Sequence, residues 1–436
     1  MIVVKSFKNI FNIPELRRKI LFTLGVLIVF RLGTILPIVG VNIKLLAEYM
    51  KQATNLGSLF KYLDTFSGSN FERCTLFSLG ISPNITASIM MQLLGMSVPS
   101  FERLLKEGEF GRKIFNQYTR YLTLVLSVFY SVSYATFLES QNLVLTPGWG
   151  FRAMFILSMV TGSMFVMWLG EQISIYGIGN GASMIIFAGI VARFPIYVSN
   201  TINYVDWGKI SLFTALFIVV FFLIVIACIV YLEKGERKIP VQYARRMVGN
   251  RMYAGQSSYI PFKINAVGVM PVIFASSMLQ IPMYIVGMLS SKFPVLKALP
   301  DYFLPTGIMY NAMVFVLIMF FTFFYTALIF DPEKLSQDMK KGGGFIPGIR
   351  PGRRTEQFFD YILTRLGLLG ALYLGVLAII PNALMIMIPA MPFYLGGTAL
   401  LIVVGVASES AAQIESYLIE HRYEGFLSTG RIKGRQ

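Results

Sequence analysis

Few residues of this chain could do acid–base, nucleophilic or metal chemistry, and their spacing argues against each use. His421 is the sole histidine and lies close to the C-terminus, out of reach of any serine in the apolar body. The aspartates, at 64, 206, 301, 331, 338 and 360, all fall outside the confident apolar runs, which removes a membrane-embedded aspartate pair. The metal-binding HExxH word and the phosphate-cradling GxxxxGK[ST] word do not occur. Cys74 and Cys228 have no CxxC spacing and lie at the edge of, and inside, separate apolar runs, so they read as small buried hydrophobes. We therefore expect no catalytic residue, no metal and no cofactor. Glu171 and Glu409, at the ends of two apolar runs, are the candidates for ion coupling. Arg31 is the one charge well within a run and lies toward its external end, where it can snorkel.

The elements that would position such residues are membrane spans. The 436-residue chain is 55% hydrophobic and 14% charged, with a mean hydropathy of +0.65; a soluble protein carries about a quarter charged residues. Ten apolar segments emerge: Ile20–Leu36, Thr75–Val98, Tyr121–Leu138, Ala153–Leu169, Ala182–Val198, Ile210–Leu232, Ala266–Leu289, Met309–Phe330, Leu366–Ile388 and Phe393–Ala407. The N-terminus is basic and amphipathic without a cleavable signal pattern, so the first span is expected to act as its own insertion signal. Most Lys and Arg fall in the termini and the even-numbered loops, which predicts both termini in the cytoplasm. Two basic loops, 233–263 and 331–365, are longer than topology needs. They fit either a topology signal or a docking surface for soluble partners.

One stretch stands apart. Residues 60–98 begin with FKYLDTFSGSNFERC, too short and polar to span, and continue into a span flecked with Ser82, Pro83, Asn84, Thr86, Ser88 and Gln92. At 100° per residue Ile81, Ile85, Ser88 and Gln92 share a stripe. Two arrangements fit: an external loop followed by a helix packing its polar groups on neighbours, or a segment folded into the membrane beside a helix that lines an enclosed path. Ten spans also permit a five-plus-five arrangement about a central path.

Eight blocks, in order along the chain, resemble the SecY family of protein-translocase channel subunits. They are PELRRKILFTLGVLIVFRLG (14–33), FSGSNFERCTLFSLGISPNITASIMMQLL (66–94), KEGEFGRKIFNQYTRYLTLVL (106–126), WLGEQISIYGIGNGASMIIFAGIVA (168–192), YARRMVGNRMYAGQSSYIPFKINAVGVMPVIFASS (243–277), FFYTALIFDPEKLS (323–336), GGFIPGIRPGRRTEQ (343–357) and PFYLGGTALLIVV (392–404). PGIRPG favours a bacterial or plastid member, and of these the bacterial cytoplasmic (inner) membrane over the plastid thylakoid.

The resemblance implies an all-α polytopic membrane protein: ten transmembrane helices in two five-helix halves, 1–193 and 210–436, joined by a hinge loop at 194–209, around an hourglass pore. It implies a re-entrant plug helix at Tyr62, Leu63, Asp64, Thr65, Phe66, Ser67, Gly68, Ser69, Asn70, Phe71, Glu72 and Arg73. A pore ring is implied at Ile81, Ile85, Ala182, Ile186, Ile273 and Ile402, where Ala182 departs from the isoleucine-rich pattern and Met184 is a candidate to fill the gap. Thr86, Gln92 and Asn265 are implied at a lateral gate between spans 2–3 and 7–8, and Arg245, Arg246, Arg251 and Arg350 at the docking face for motor and ribosome. Implied partners are the SecE and SecG subunits, the SecA ATPase, the ribosome with its RNA, secretory and membrane-protein substrates, and the lipid bilayer. The implied role is to pass unfolded chains across the membrane and release signal sequences and membrane helices sideways, without enzymatic chemistry. A secondary transporter with broken helices is the alternative from another class.

Overall fold

The computed structural model describes residues 13–51, 71, 73–243, 246–248, 251–253, 257–265, 267–292, 307–388 and 396–429. Eleven helices, among the described residues, make ten spans that answer the ten apolar segments: α1 (Pro14–Gly33), α3 (Ser82–Ser97), α5 (Glu109–Ser140), α6 (Trp149–Tyr176), the pair α7 (Gly181–Val191) and α8 (Phe194–Asp206) forming one span, α9 (Leu212–Lys234), α10 (Met270–Lys292), α11 (Ile308–Ile329), α13 (Arg353–Met387) and α14 (Gly397–Thr429). Short helices α2 (Ile43–Lys51), α4 (Pro99–Lys106) and α12 (Pro332–Lys341) lie between them. Among the described residues, seven spans are long and apolar enough to cross a bilayer by length and composition alone. The 16-residue α3 reaches only about 24 Å, short of a bilayer core of roughly 30 Å.

The shortfall of α3 corrects an expectation. Its span was expected to be helical from Thr75, but residues 73–81 run as successive turns and the helix begins at Ser82. Gly80 has φ +55°, and Pro83 in the first turn suits a helix start but not a helix interior. The turns are hydrogen-bonded by protein: Ile38 N–H donates to Cys74 O (2.9 Å), Leu76 N–H to Leu36 O (2.9 Å) and Gly80 N–H to Phe77 O (2.9 Å). Gly162 of α6 makes room for them, since a Cβ there would lie 2.0 Å from Leu76 O.

The expected hinge loop at 194–209 is helical over Phe194–Asp206. Pro195 sits in the first turn and Tyr197 is buried, so the segment continues the span after a break at Ala192–Arg193.

The core is one large cluster running through all ten spans, from Val26 and Phe30 in α1 to Ile402 and Val406 in α14. Helix α10 packs on α3 and α5 along one side and on α11 and α14 along the other; α14 also packs on α7 and α9.

The two long basic loops are not loops throughout. β1 (Glu236–Tyr243) pairs antiparallel with β4 (Ser257–Lys263), Ile239 opposite Ile260, and with the short β5 (Gly344–Phe345) at Gln242 and Tyr243. Between β1 and β4 lies the hairpin of β2 (Arg246–Val248) and β3 (Arg251–Tyr253). In β1, Ile239 and Val241 are buried while Lys238 and Pro240 are exposed, the two-residue alternation of a one-sided sheet. Pro240 is tolerated because β5 does not extend that far and no ladder donor is needed on that side. These side chains join Phe262, Met339, Ile346, Phe359, Ile362 and Leu363 in a second core, separate from the first. Phe359 is fully buried there, 5.8 Å from the Phe262 ring. Phe359→Ala should cost the small unit about 3–5 kcal/mol. We expect faster protease cleavage between Lys234 and Lys263 in membranes, with insertion of the ten-helix bundle unchanged.

Candidate functional site

Four helices carry the expected ring. Ile81 is the residue before α3, and its carbonyl accepts from Ile85 N–H at 3.1 Å, so the two stand one turn apart on one face. Ile186 comes from α7, Ile273 from α10 and Ile402 from α14; all five isoleucines are buried members of the large core. Ala182, in the first turn of α7, is half-buried and does not close its side. With Ile81 it borders a cavity of about 290 Å³ whose polar wall is Asn84, Asn116, Arg120, Glu171, Ser174 and Asn180. Met184 is engaged elsewhere, its sulfur accepting from the Ser410 hydroxyl of α14 at 3.5 Å. Ile185, not among the expected ring residues, is buried, and its side chain and that of Ile81 both border Gly170.

The cavity also decides the standing of Glu171. Arg120 grips it with two hydrogen bonds, Nε to Oε1 at 3.0 Å and Nη2 to Oε2 at 2.7 Å. Glu409 is exposed. Neither is the buried, unpaired carboxylate that ion coupling asks for.

Along the seam where α3 and α5 meet α10 and α11, contacts are mostly aromatic. Tyr130 of α5 stacks on Tyr284 of α10 with centroids 4.3 Å apart and planes within 20°. Ser133 donates to Tyr284 O at 3.0 Å, and the Tyr325 hydroxyl of α11 donates to Gln92 Oε1 of α3. Of the three expected gate residues, the structure thus brings Gln92 across the seam. Thr86 is buried and donates to Ser82 O of its own helix at 3.0 Å. Asn265 donates to Gly268 O at 3.1 Å and borders a cavity of about 10 Å³, room for about one water, together with Glu233, Leu374, Leu401 and Gly405. Tyr130, Tyr284 and Tyr325 were missed because aromatics in an apolar run look like core. Tyr130 stands mid-run, but Tyr284 and Tyr325 lie five residues from the ends of their apolar runs, so position alone did not single them out.

Of the expected plug, Phe71 and Arg73 are described; the other ten positions lie outside the described residues. Phe71 is buried, its ring 5.1 Å from Tyr134 and 6.4 Å from Tyr284, and its carbonyl accepts from the Tyr134 hydroxyl at 2.8 Å. Arg73 is exposed.

Of the residues expected at the docking face, Arg350 is exposed in a turn fixed at both ends. Ile346 is buried, Gly348 takes φ +83°, Ser336 donates to Gly352 O (2.9 Å) and Thr355 donates to Arg350 O (2.9 Å). Arg246 and Arg251 sit on the two strands of the β2–β3 hairpin; Arg245 lies outside the described residues. On β1, the hydrogen bond from Lys238 to Glu236 raises the lysine pKa above its ordinary value.

A family model, SecY, matches residues 75–411. The protein translocase subunit SecY of Thermus thermophilus is 43% identical over 99% of this chain and all of its own length. The chain belongs to the SecY family. The family member from Escherichia coli K12 is 42% identical over 97% of this chain and 96% of its own. The fold is that of a solved protein-conducting channel, TM-score 0.68 and 20% identity over 92% of this chain and 93% of the other. Sec61 from the canine ribosome–channel complex shares it at TM-score 0.60 and 19% identity, over 92% and 93%.

The seam yields a test. A hydrogen bond of this kind contributes about 0.5–1.5 kcal/mol net, so its loss shifts a two-state equilibrium roughly two- to tenfold. Tyr325→Phe should raise the open fraction of the resting channel by that factor in planar-bilayer recordings, whereas Thr86→Val should move it less.

Proposed function

We propose that this chain is the channel-forming subunit of a bacterial protein translocase, passing unfolded secretory proteins across the membrane and releasing signal sequences and membrane helices into lipid. The observation that carries the reading is that α3, α7, α10 and α14 each contribute isoleucine to the buried core, with Ile81 also bordering a polar cavity. A path for unfolded chains of any sequence needs a neck without hydrogen-bonding groups. β-Branched side chains make that neck stiff, and its dryness opposes ion flow. Ile81, Ile85, Ala182, Ile186, Ile273 and Ile402 form the constriction in this reading, with residues 62–73 as the plug on its external side.

The halves 1–193 and 210–436 part along the aromatic seam. Gln92–Tyr325 and Tyr130–Tyr284 then hold the gate, and the plug is stapled to it through Phe71. Both termini and the β1–β5 unit face the cytoplasm, which suits the basic composition of that unit. Arg350, Arg246, Arg251 and Arg245 there meet SecA or the ribosome, whose RNA is an electrostatic partner for them. SecE and SecG complete the complex. Secondary transport has no support: Glu171 is ion-paired, Glu409 is exposed, and the relatives are translocase subunits.

The deciding experiment is motor-driven transport of a signal-bearing chain by the purified complex in vesicles; transport of a small solute by this chain alone, with none of the protein substrate, would refute the reading. Within it, Ile85→Asn and Ile402→Asn should each raise the ion conductance of a plug-deleted channel several-fold, because a polar group helps water wet the neck. Unchanged conductance in both variants would remove these residues from the constriction. Arg350→Glu should abolish SecA-driven transport while leaving the protein inserted and folded, measured by transport assay beside protease protection.

A further inference from the structure

The two sides of the bundle are fastened differently. On one, α3 and α5 meet α10 and α11 through stacked rings and few hydrogen bonds. On the other, α14 meets the first half of the chain, and its contacts continue beyond the bilayer. With 33 residues α14 is about 50 Å long, some 20 Å more than a bilayer core. Three residues on its extension, Ser410, Gln413 and Tyr417, are spaced three and four apart and so share one face.

That face grips the turn between α6 and α7 and the start of α1. Gly179 N–H donates to Gln413 Oε1 at 2.5 Å. Lys19 Nζ of α1 donates to the Tyr417 hydroxyl at 2.6 Å and stands 4.2 Å from that ring's centroid. Ser410 donates to Met184 Sδ of α7 at 3.5 Å. From the other side Thr23 of α1 accepts from Ile178 N–H at 3.1 Å. The turn's two successive backbone donors are therefore held by side chains from two different helices. Gly179 has φ +77°, and a Cβ there would lie 3.3 Å from Ser410 Oγ, so the grip depends on glycine at that position.

We propose that this clasp, Gln413 and Tyr417 on Gly179 and Lys19, is the cytoplasmic pivot of the channel, staying made while the aromatic seam opposite opens. It rests on the gate reading above. A rotation of one half against the other needs two fixed points. The covalent link through α8 into α9 supplies one, and the clasp, at the end of α14, supplies the second. Backbone-directed hydrogen bonds resist sliding along the joint, whereas the other side is held mainly by stacked rings, with Ser133–Tyr284 and Tyr325–Gln92 as the hydrogen bonds that must part.

The test joins each side covalently in the intact membrane complex with Cys228 replaced by alanine. Lys19→Cys with Tyr417→Cys, linked by a short bis-thiol reagent, should keep protein transport within about twofold of the unlinked complex. Gln92→Cys with Tyr325→Cys, linked likewise, should reduce it more than tenfold. Transport stopped by the 19–417 link would overturn the pivot while leaving the gate intact. Transport unaffected by both links would overturn the gate reading, and the pivot with it, since nothing would turn about it. As a second measure, Gln413→Leu should raise the resting ion leak several-fold and Gln413→Glu, which keeps an acceptor for Gly179, should restore it. An unchanged leak in Gln413→Leu, or a failed rescue, would reduce the contact to packing.

Discussion

A peptide group inside a bilayer has no water to bond, so every stretch of non-helical chain at that depth must be served by the protein around it. The turns between Phe71 and Ile81 are the place where this chain accepts that constraint, and much of the bundle is shaped by it. Residues 36–38 run alongside and exchange backbone hydrogen bonds with Cys74 and Leu76. Tyr134 reaches over from α5 to serve Phe71 O. Gly33 and Gly162 bring α1 and α6 close enough to wall the turns in, with the Phe77 ring and Leu76 O where a side chain would otherwise stand. Because the turns are thus held by α1, α5 and α6, α3 starts late, and Ile81 and Ile85 are placed at its buried beginning rather than its middle.

Much of the fold was legible because the bilayer imposes a coarse code. Ten apolar runs gave ten helical spans, and the polar flecks of 82–92 marked the helix whose Gln92 reaches the seam. What was not legible has physical reasons. A turn sequence such as Leu76–Gly80 is as apolar as a helix, and hydropathy cannot tell them apart; Gly80 followed by Pro83 was the available signal. The sheet β4–β1–β5 joins strands from two loops separated by two spans, so its alternation in Glu236–Tyr243 is only four residues of pattern whose partner lies far along the chain. Helices α13 and α14 run well beyond their apolar runs, because once outside lipid a helix continues on propensity and tertiary contact rather than hydropathy.

The expected site residues divide along the same line. The five expected isoleucines are all buried, since burial follows from helix register. Asn265 was expected at the seam; its side-chain amide donates to Gly268 O and it borders a small cavity with Glu233, because it precedes α10 in a turn and a short amide there finds local backbone first. The tyrosines that cross the seam could be ranked above other aromatics only by their pairing, and pairing is a property of two spans at once.

Ala182 shows how closely the neck and the polar space beside it are related. Where isoleucine would fill the layer, a methyl group leaves Ile81 bordering a cavity that holds Arg120, Glu171, Asn84 and Asn180. The Arg120–Glu171 pair satisfies its own charges, so that space presents hydrogen-bonding groups without an uncompensated charge. Water there is favourable up to Ile81, and in the proposed reading the path beyond it is lined by isoleucine from α3, α7, α10 and α14. In that reading the barrier to ions is the isoleucine layer. Its tightness follows from how the four helices are held, and two of them, α7 and α14, are the helices that the Gly179–Gln413 joint brings together.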